Sequence, residues 1–206
     1  MEFRLSSAVC VLIFCGVLVF STGCRCLSGT SCTPATEPPA TENAAENSYA
    51  SRRAQVIQWL DAQDGYNGHV KKVVQYASFL NQAREEPADP QVVEIGALLH
   101  DCGYQIGRGP RKEVRSLHPE LGAAAARGLL LPVGFDAEFT DHIARIVHAH
   151  HSVTEMDTPE WKVVWMADLA VNRKVKVTPD TAEEALVELQ GMLDDRRKKQ
   201  KESAQN

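Results

Sequence analysis

The 206-residue chain has little that would build a sheet. No stretch alternates apolar and polar side chains over strand length, and no segment repeats, which excludes a sheet-based or repeat architecture. Charge of one sign is not in excess either. With 22 Lys and Arg against 27 Asp and Glu, the net charge is −5, so no broad positive field draws nucleic acid, and none is expected as a partner. Aromatics are few at 6%. Of the 6 cysteines, Cys10, Cys15, Cys24, Cys26 and Cys32 crowd the N-terminal end, which leaves only Cys102 farther on. Cys102 reads as a small buried side chain. Ala, Leu, Val and Glu are plentiful instead, and these favour helices. The length accommodates one domain with additions.

The N-terminal end does not read as part of a fold. Arg4 precedes a charge-free stretch, residues 5–24, rich in Val, Leu, Ile and Phe. This is the basic-then-apolar order of an export signal. It closes on Phe20-Ser21-Thr22-Gly23-Cys24, which resembles the lipobox of bacterial lipoproteins, with Ser21 where that motif prefers an aliphatic residue. The resemblance implies lipidation at Cys24. The same stretch is near the roughly 20 residues of a spanning helix, so an uncleaved anchor is a second reading. An ordinary cleaved signal is a third. All three put the domain outside the cytoplasm unless the anchor is inverted, and the first implies tethering on the periplasmic or cell-surface side. Residues 25–48 are Ser-, Thr-, Pro-, Ala- and Glu-rich without apolar periodicity, as in a flexible tether. Cys26 and Cys32 lie there and could pair in an oxidising compartment.

From residue 49 to the end, every strong segment has helical period, so the expected class is all-α, a bundle of about six to seven helices. Val56, Ile57, Trp59 and Leu60 mark the first helix. His69, Val73, Tyr76, Ala77 and Leu80 form one stripe on the second, entered through Asp64-Gly65-Tyr66-Asn67-Gly68. Pro90 opens a third that delivers His100-Asp101. A Gly- and Arg-rich polar loop is expected from Gly103 to Leu117, with Pro119 as the first residue of a fourth helix carrying Leu121, Ala124, Ala125 and Leu129. Phe139, Ile143, Ile146 and Val147 mark a fifth. A sixth spans Trp161 to Val171, and a charged seventh runs from Pro179 to about Lys199. Arg196 to Lys201 reads as a solvated helix end favoured by the dipole.

A histidine beside a carboxylate at the end of an apolar helix is costly in a core, and both types ligate metals. His69 shares its helix stripe with Val73 and Leu80, so it points inward. Asp168 shares a face with Trp161 and Trp165. At about 100° per residue, His150 falls near the centre of the fifth helix's apolar stripe and His151 on its edge, while His148 and His142 fall outside it. Inward-facing His and Asp on separate helices are best compensated by a cation.

The ordered series His69, His100-Asp101, His118, His150/His151 and Asp168 resembles the HD-domain superfamily of metal-dependent phosphohydrolases. Local contexts resemble it too: Gly68-His69-Val70-Lys71-Lys72-Val73; Ala97-Leu98-Leu99-His100-Asp101-Cys102-Gly103; His118-Pro119-Glu120-Leu121-Gly122-Ala123; and Ala167-Asp168. The resemblance runs from about Arg52 to Asn172. It implies that His69, His100, Asp101 and Asp168 hold one divalent metal (Mn, Fe, Co, Ni, Zn or Mg). It implies that Asp101 bridges to a second ion held by His118 and His150, with His151 as a further candidate. The implied reaction is hydrolysis of a small phosphorylated substrate. Arg108, Arg111, Lys112, Arg115 and Lys72 are candidates to meet phosphate oxygens, with Asp101, Lys72 and Arg111 foremost for catalysis. No Gly-Tyr-Pro segment follows His151, so the cyclic-di-GMP branch is not indicated. A paired-iron oxygenase and a non-catalytic, tethered ligand-binding domain are the alternative readings.

Overall fold

The computed structural model describes residues 48–205. The expected export signal, the tether and the cysteines at 10, 15, 24, 26 and 32 lie outside the described residues. Helices account for the described chain, which contains no strand: α1 (Tyr49–Asp61), α2 (Gly68–Gln82), α3 (Pro90–Leu99), the single turn α4 (Gly103–Ile106), α5 (Arg111–Val133), α6 (Ala137–Ala149), α7 (Pro159–Arg173) and α8 (Ala182–Ser203). Among the described residues no helix is long and apolar enough to cross a membrane.

Local chemistry sets the starts. Ser48, Asn67, Asp89, Asp136 and Thr158 each accept a backbone N–H of the following first turn. Pro90 and Pro159 open α3 and α7, where a missing N–H costs nothing. Asn67 accepts from both His69 and Val70, so the cap that starts α2 also fixes the backbone of His69.

α3 is the central element. Val92, Val93, Ile95, Gly96, Ala97, Leu98 and Leu99 are all buried, against α2 on one side and α6 and α7 on others. A helix so largely apolar belongs inside, and its C-terminal end therefore delivers His100 and Asp101 to the middle of the molecule. α5 and α6 pack as a long antiparallel-order pair joined by a short turn, α2 packs on α7, and α8 closes over α2 and α7.

Two expectations fail on one segment. The stretch after His100-Asp101 is not a loop through Leu117: it holds α4, and α5 already begins at Arg111. Pro119 consequently lies inside α5 and not at its start. The reason is close packing of α4 on α5. A Cβ on Gly103 would stand 1.9 Å from the His118 carbonyl oxygen and 2.8 Å from the Gly122 nitrogen. Only glycine lets the two backbones cross there, and that crossing needs His118 already in helix. The Arg196–Lys201 run also differs from expectation. Arg197 donates to the Val153 carbonyl and to Asp157, while Arg196 and Arg197 lie over the rings of Trp165 and Trp161.

Candidate metal centre

His69 from the first turn of α2, His100 and Asp101 after α3, His118 from α5, His150 and His151 after α6, and Asp168 from α7 converge at one place. Their ligand atoms fall into two groups, each within 4.8 Å: His69, His100 and Asp168, and Asp101, His118, His150 and His151. Asp101 faces both. Its Oδ2 is 3.6 Å from His69 Nε2 and 3.4 Å from His100 Nε2, while its Oδ1 is 3.5 Å from His118 Nε2 and 3.4 Å from His150 Nε2.

Three of the imidazoles are buried and aimed by the same device. His100 Nδ1–H donates to the Ala97 carbonyl at 2.8 Å, His118 Nδ1–H to Arg115 at 2.8 Å, and His150 Nδ1–H to Val147 at 2.5 Å. A carbonyl only accepts, so each Nδ1 carries a proton and each ring turns its Nε2 to the site. His100 and His150 occupy the C-cap positions of α3 and α6, where carbonyls have no intrahelical donor. The indole N–H of buried Trp161 donates to the Ala149 carbonyl, holding the end of α6 beside His150.

The electrostatics are those of a cation site. Burial alone would raise the Asp101 carboxyl, but His100, His118 and His150 outweigh it and hold it far below the usual carboxylate range. Asp168 is likewise held down against burial by His100 and His69. Burial would lower His100, yet the two carboxylates push it up to about 10. Burial, then His150 and His118, lower His151 to about 4, leaving a neutral ring.

The residues fit a metal. His118 Nε2 lies 3.2 Å from His150 Nε2 and 3.1 Å from His151 Nε2, and His69 Nε2 lies 3.2 Å from His100 Nε2. His118 and His150 both commit their Nδ1 protons to carbonyls, so these two rings, when neutral, point Nε2 lone pairs at one another. Asp101 Oδ1 is buried without a hydrogen-bond donor. A divalent cation held by either group would satisfy its nitrogens and carboxylate together.

The site opens into a cleft of about 510 Å³ lined by Asp101, Tyr104, Arg111, Arg115, Asp168 and Asn172 among others. Arg111 and Arg115 are successive on one face of α5, and Tyr104 stacks on His118 with ring centres 4.0 Å apart. Among the other cations offered by the sequence, Lys72 lies over the Tyr76 ring, and neither it nor Arg108 or Lys112 lines the cleft. The chain's other histidines stay apart: His148 is half-exposed beside Glu155, and His142 faces Thr158 and Glu160. Cys102 is buried, donates to the Gly122 carbonyl, and has a thiol pushed up to about 12 by burial and Asp101. Sequence reasoning missed Tyr104 and Asn172. Asn172 donates to Asp168 Oδ1 at 2.9 Å, and its place four residues after Asp168 on one helix was the available signal. Tyr104 had none, because its segment read as loop.

Comparison with known proteins agrees with the geometry. The family model of the HD domain matches residues 66–189. No curated protein matches the chain. Among solved structures, the chain is similar to a predicted HD superfamily hydrolase from an uncultured Thermotogales bacterium, at 22% identity and a TM-score of 0.47, over 71% of this chain and 89% of that one. With its helices, its His-Asp pair and more than half its length matched by that model, the chain belongs to the HD domain family.

Proposed function

We propose that this protein hydrolyses a phosphate ester of a small molecule in the cleft above Asp101. One observation carries the reading: a single carboxylate divides its two oxygens between two imidazole-rich groups. His69, His100 and Asp168 would hold one divalent ion, and His118, His150 and His151 the other, with Asp101 common to both. Ions so held supply Lewis acidity toward phosphoryl oxygens and a lowered pKa for bound water. The chain's own side chains do the rest. Arg111 and Arg115 line the cleft wall beside the metal groups, where their guanidinium donors bind the non-bridging phosphate oxygens. Asn172 keeps Asp168 turned to the imidazoles. The stacked Tyr104 shields one face of His118 and closes the cleft on that side. Phosphoryl transfer asks mainly for such positioning and charge.

The test uses the full chain, metal-free and then reloaded with Mn, Fe, Co, Ni, Zn or Mg, against a panel of phosphate monoesters and nucleotides. Phosphate release with about two ions bound per chain supports the reading. A fully loaded protein that releases phosphate from no ester overturns it, and iron-dependent oxygen consumption would move the assignment to oxidation. The same reading takes residues 1–24 as an export signal that tethers the domain to a membrane through Cys24. Fractionation of cells expressing the full chain and its Cys24→Ser variant tests this, with loss of membrane association in the variant as the expected result.

A further inference from the structure

His118 differs from the other two anchored histidines in its place on its helix. His100 and His150 stand at helix ends, where the carbonyls they use are free. His118 stands well inside the 23-residue α5, where each carbonyl normally accepts the N–H four residues later. The Arg115 carbonyl would accept the N–H of residue 119. That residue is Pro119, which has no N–H, and whose ring crowds the same carbonyl. The carbonyl is instead taken by His118 Nδ1–H at 2.8 Å. The other internal proline of α5, Pro132, follows a leucine and so serves no imidazole.

We infer that Pro119 is a positioning residue for the centre proposed above: by withholding the helical donor from Arg115, it gives His118 Nδ1 its anchor and commits the Nε2 lone pair to the second metal group. Pro119 is not itself among the ligand groups; it acts through one hydrogen bond of its neighbour. A proline inside a helix ordinarily weakens it, so the two effects of replacing it have opposite signs. Restoring an N–H at position 119 strengthens the helix and takes the anchor from the imidazole.

The experiment compares full-length wild type, Pro119→Ala and Pro132→Ala. In the metal-free proteins at alkaline pH, imidazole ¹⁵N spectra report the His118 tautomer. Wild type and Pro132→Ala are expected to carry the proton on Nδ1, and Pro119→Ala to populate the Nε2–H form. Cobalt(II) titration followed by visible absorption is expected to show the His118 group weakened about ten- to a hundredfold in Pro119→Ala alone, with the His69 group unchanged. The metal-free melting temperature of Pro119→Ala is expected to equal or exceed that of wild type. An unchanged tautomer, or cobalt affinity falling at both groups together with the melting temperature, overturns the inference. The inference rests on the metal reading, yet the two fail separately: a wild type that takes up no cobalt defeats that reading, while the tautomer comparison still decides the role of Pro119. Pro119→Ser, polar at this partly exposed position, repeats the test should alanine pack badly.

Discussion

The histidines of the centre divide into two kinds. His100, His118 and His150 are buried and each is locked through Nδ1 to a backbone carbonyl. His69 and His151 sit at the rim, and both line the open cleft. His69 has its backbone set by the Asn67 cap and its Nε2 turned to His100 and Asp168, and His151 reaches inward to His118, neither ring being locked through Nδ1 to a backbone carbonyl as the other three are. The difference teaches where rigidity is placed. One group combines the anchored His100 with the rim ring His69, and the other combines the anchored His118 and His150 with the rim ring His151. On the proposed reading, the rim would admit a substrate while the floor would keep bound ions at a fixed separation.

Asp101 belongs to the floor of both groups, and its loss is the most damaging change. Asp101→Ala removes an oxygen from each group and leaves the facing imidazoles without a common anion. The expected outcome is loss of phosphatase activity, with metal content falling well below about two ions per chain. Elemental analysis of the purified variant beside its circular dichroism separates this from unfolding. A variant that keeps both ions would break the idea that one carboxylate serves both groups.

The anchored and rim rings give the next largest contrast. His118→Ala deletes a buried, oriented ligand and leaves its cavity and the Arg115 carbonyl behind. His151→Ala removes a ring already half in water. The expected order in cobalt titrations is loss of the second ion in His118→Ala, against a reduction of about ten- to a hundredfold in His151→Ala, the scale seen for supporting residues. Equal losses would erase the distinction between floor and rim.

The arginines test the cleft against the metals beneath it. Arg111→Ala and Arg115→Ala would each remove the charge-assisted hydrogen bond proposed to the phosphate, worth roughly 1.5–3 kcal/mol. That corresponds to a fall of about ten- to a hundredfold in kcat/KM at unchanged metal content. Lys72→Ala, whose ammonium lies over Tyr76 and away from the cleft, is the control expected to leave kcat/KM as it was. Steady-state kinetics with metal analysis on the same samples decides between them.

How much of this was legible beforehand follows from what kind of signal each residue carried. Helical period placed α2, α3, α6 and α7, because each has an apolar stripe that only tertiary burial explains, and His69 and Asp168 were found on those stripes. His150 against His148 was a matter of phase at about 100° per residue, and the buried ring is His150. Glycine misled between 103 and 117. Gly103, Gly107 and Gly109 read as loop punctuation, whereas Gly103 is there to let α4 lie on the His118 backbone. Pro119 misled for the same kind of reason. Its usual meaning is a helix start, and only the position of Nδ1 of its neighbour reveals another. The division of Asp101 between two groups was implied by family resemblance and by nothing in the local pattern, since no spacing in the chain says which oxygen faces which ring.

The smallest expected effect concerns what holds the rim from outside. The loop after His151 is braced by α8: Arg197 Nε donates to the Val153 carbonyl at 2.9 Å and an Nη to Asp157 at 2.7 Å, with the guanidinium over the Trp161 ring. Lys162 and then Arg197 hold the Asp157 carboxyl below its ordinary range. A depressed carboxyl contributes stability above its unfolded value, about 3.9, and loses it as pH falls through the folded one. Asp157 is exposed, so that contribution is small. Arg197→Ala also loses the carbonyl bond and the ring contact and should cost about 1 kcal/mol in urea unfolding at neutral pH. Asp157→Asn should cost less there, and its difference from wild type should shrink below about pH 4. Because Val153 and Asp157 lie just beyond His151 and not beyond His118, either change should loosen cobalt at the second group less than His151→Ala does. A loss as large as that of His118→Ala would mean that the rim, and not the buried rings, sets the geometry of the centre.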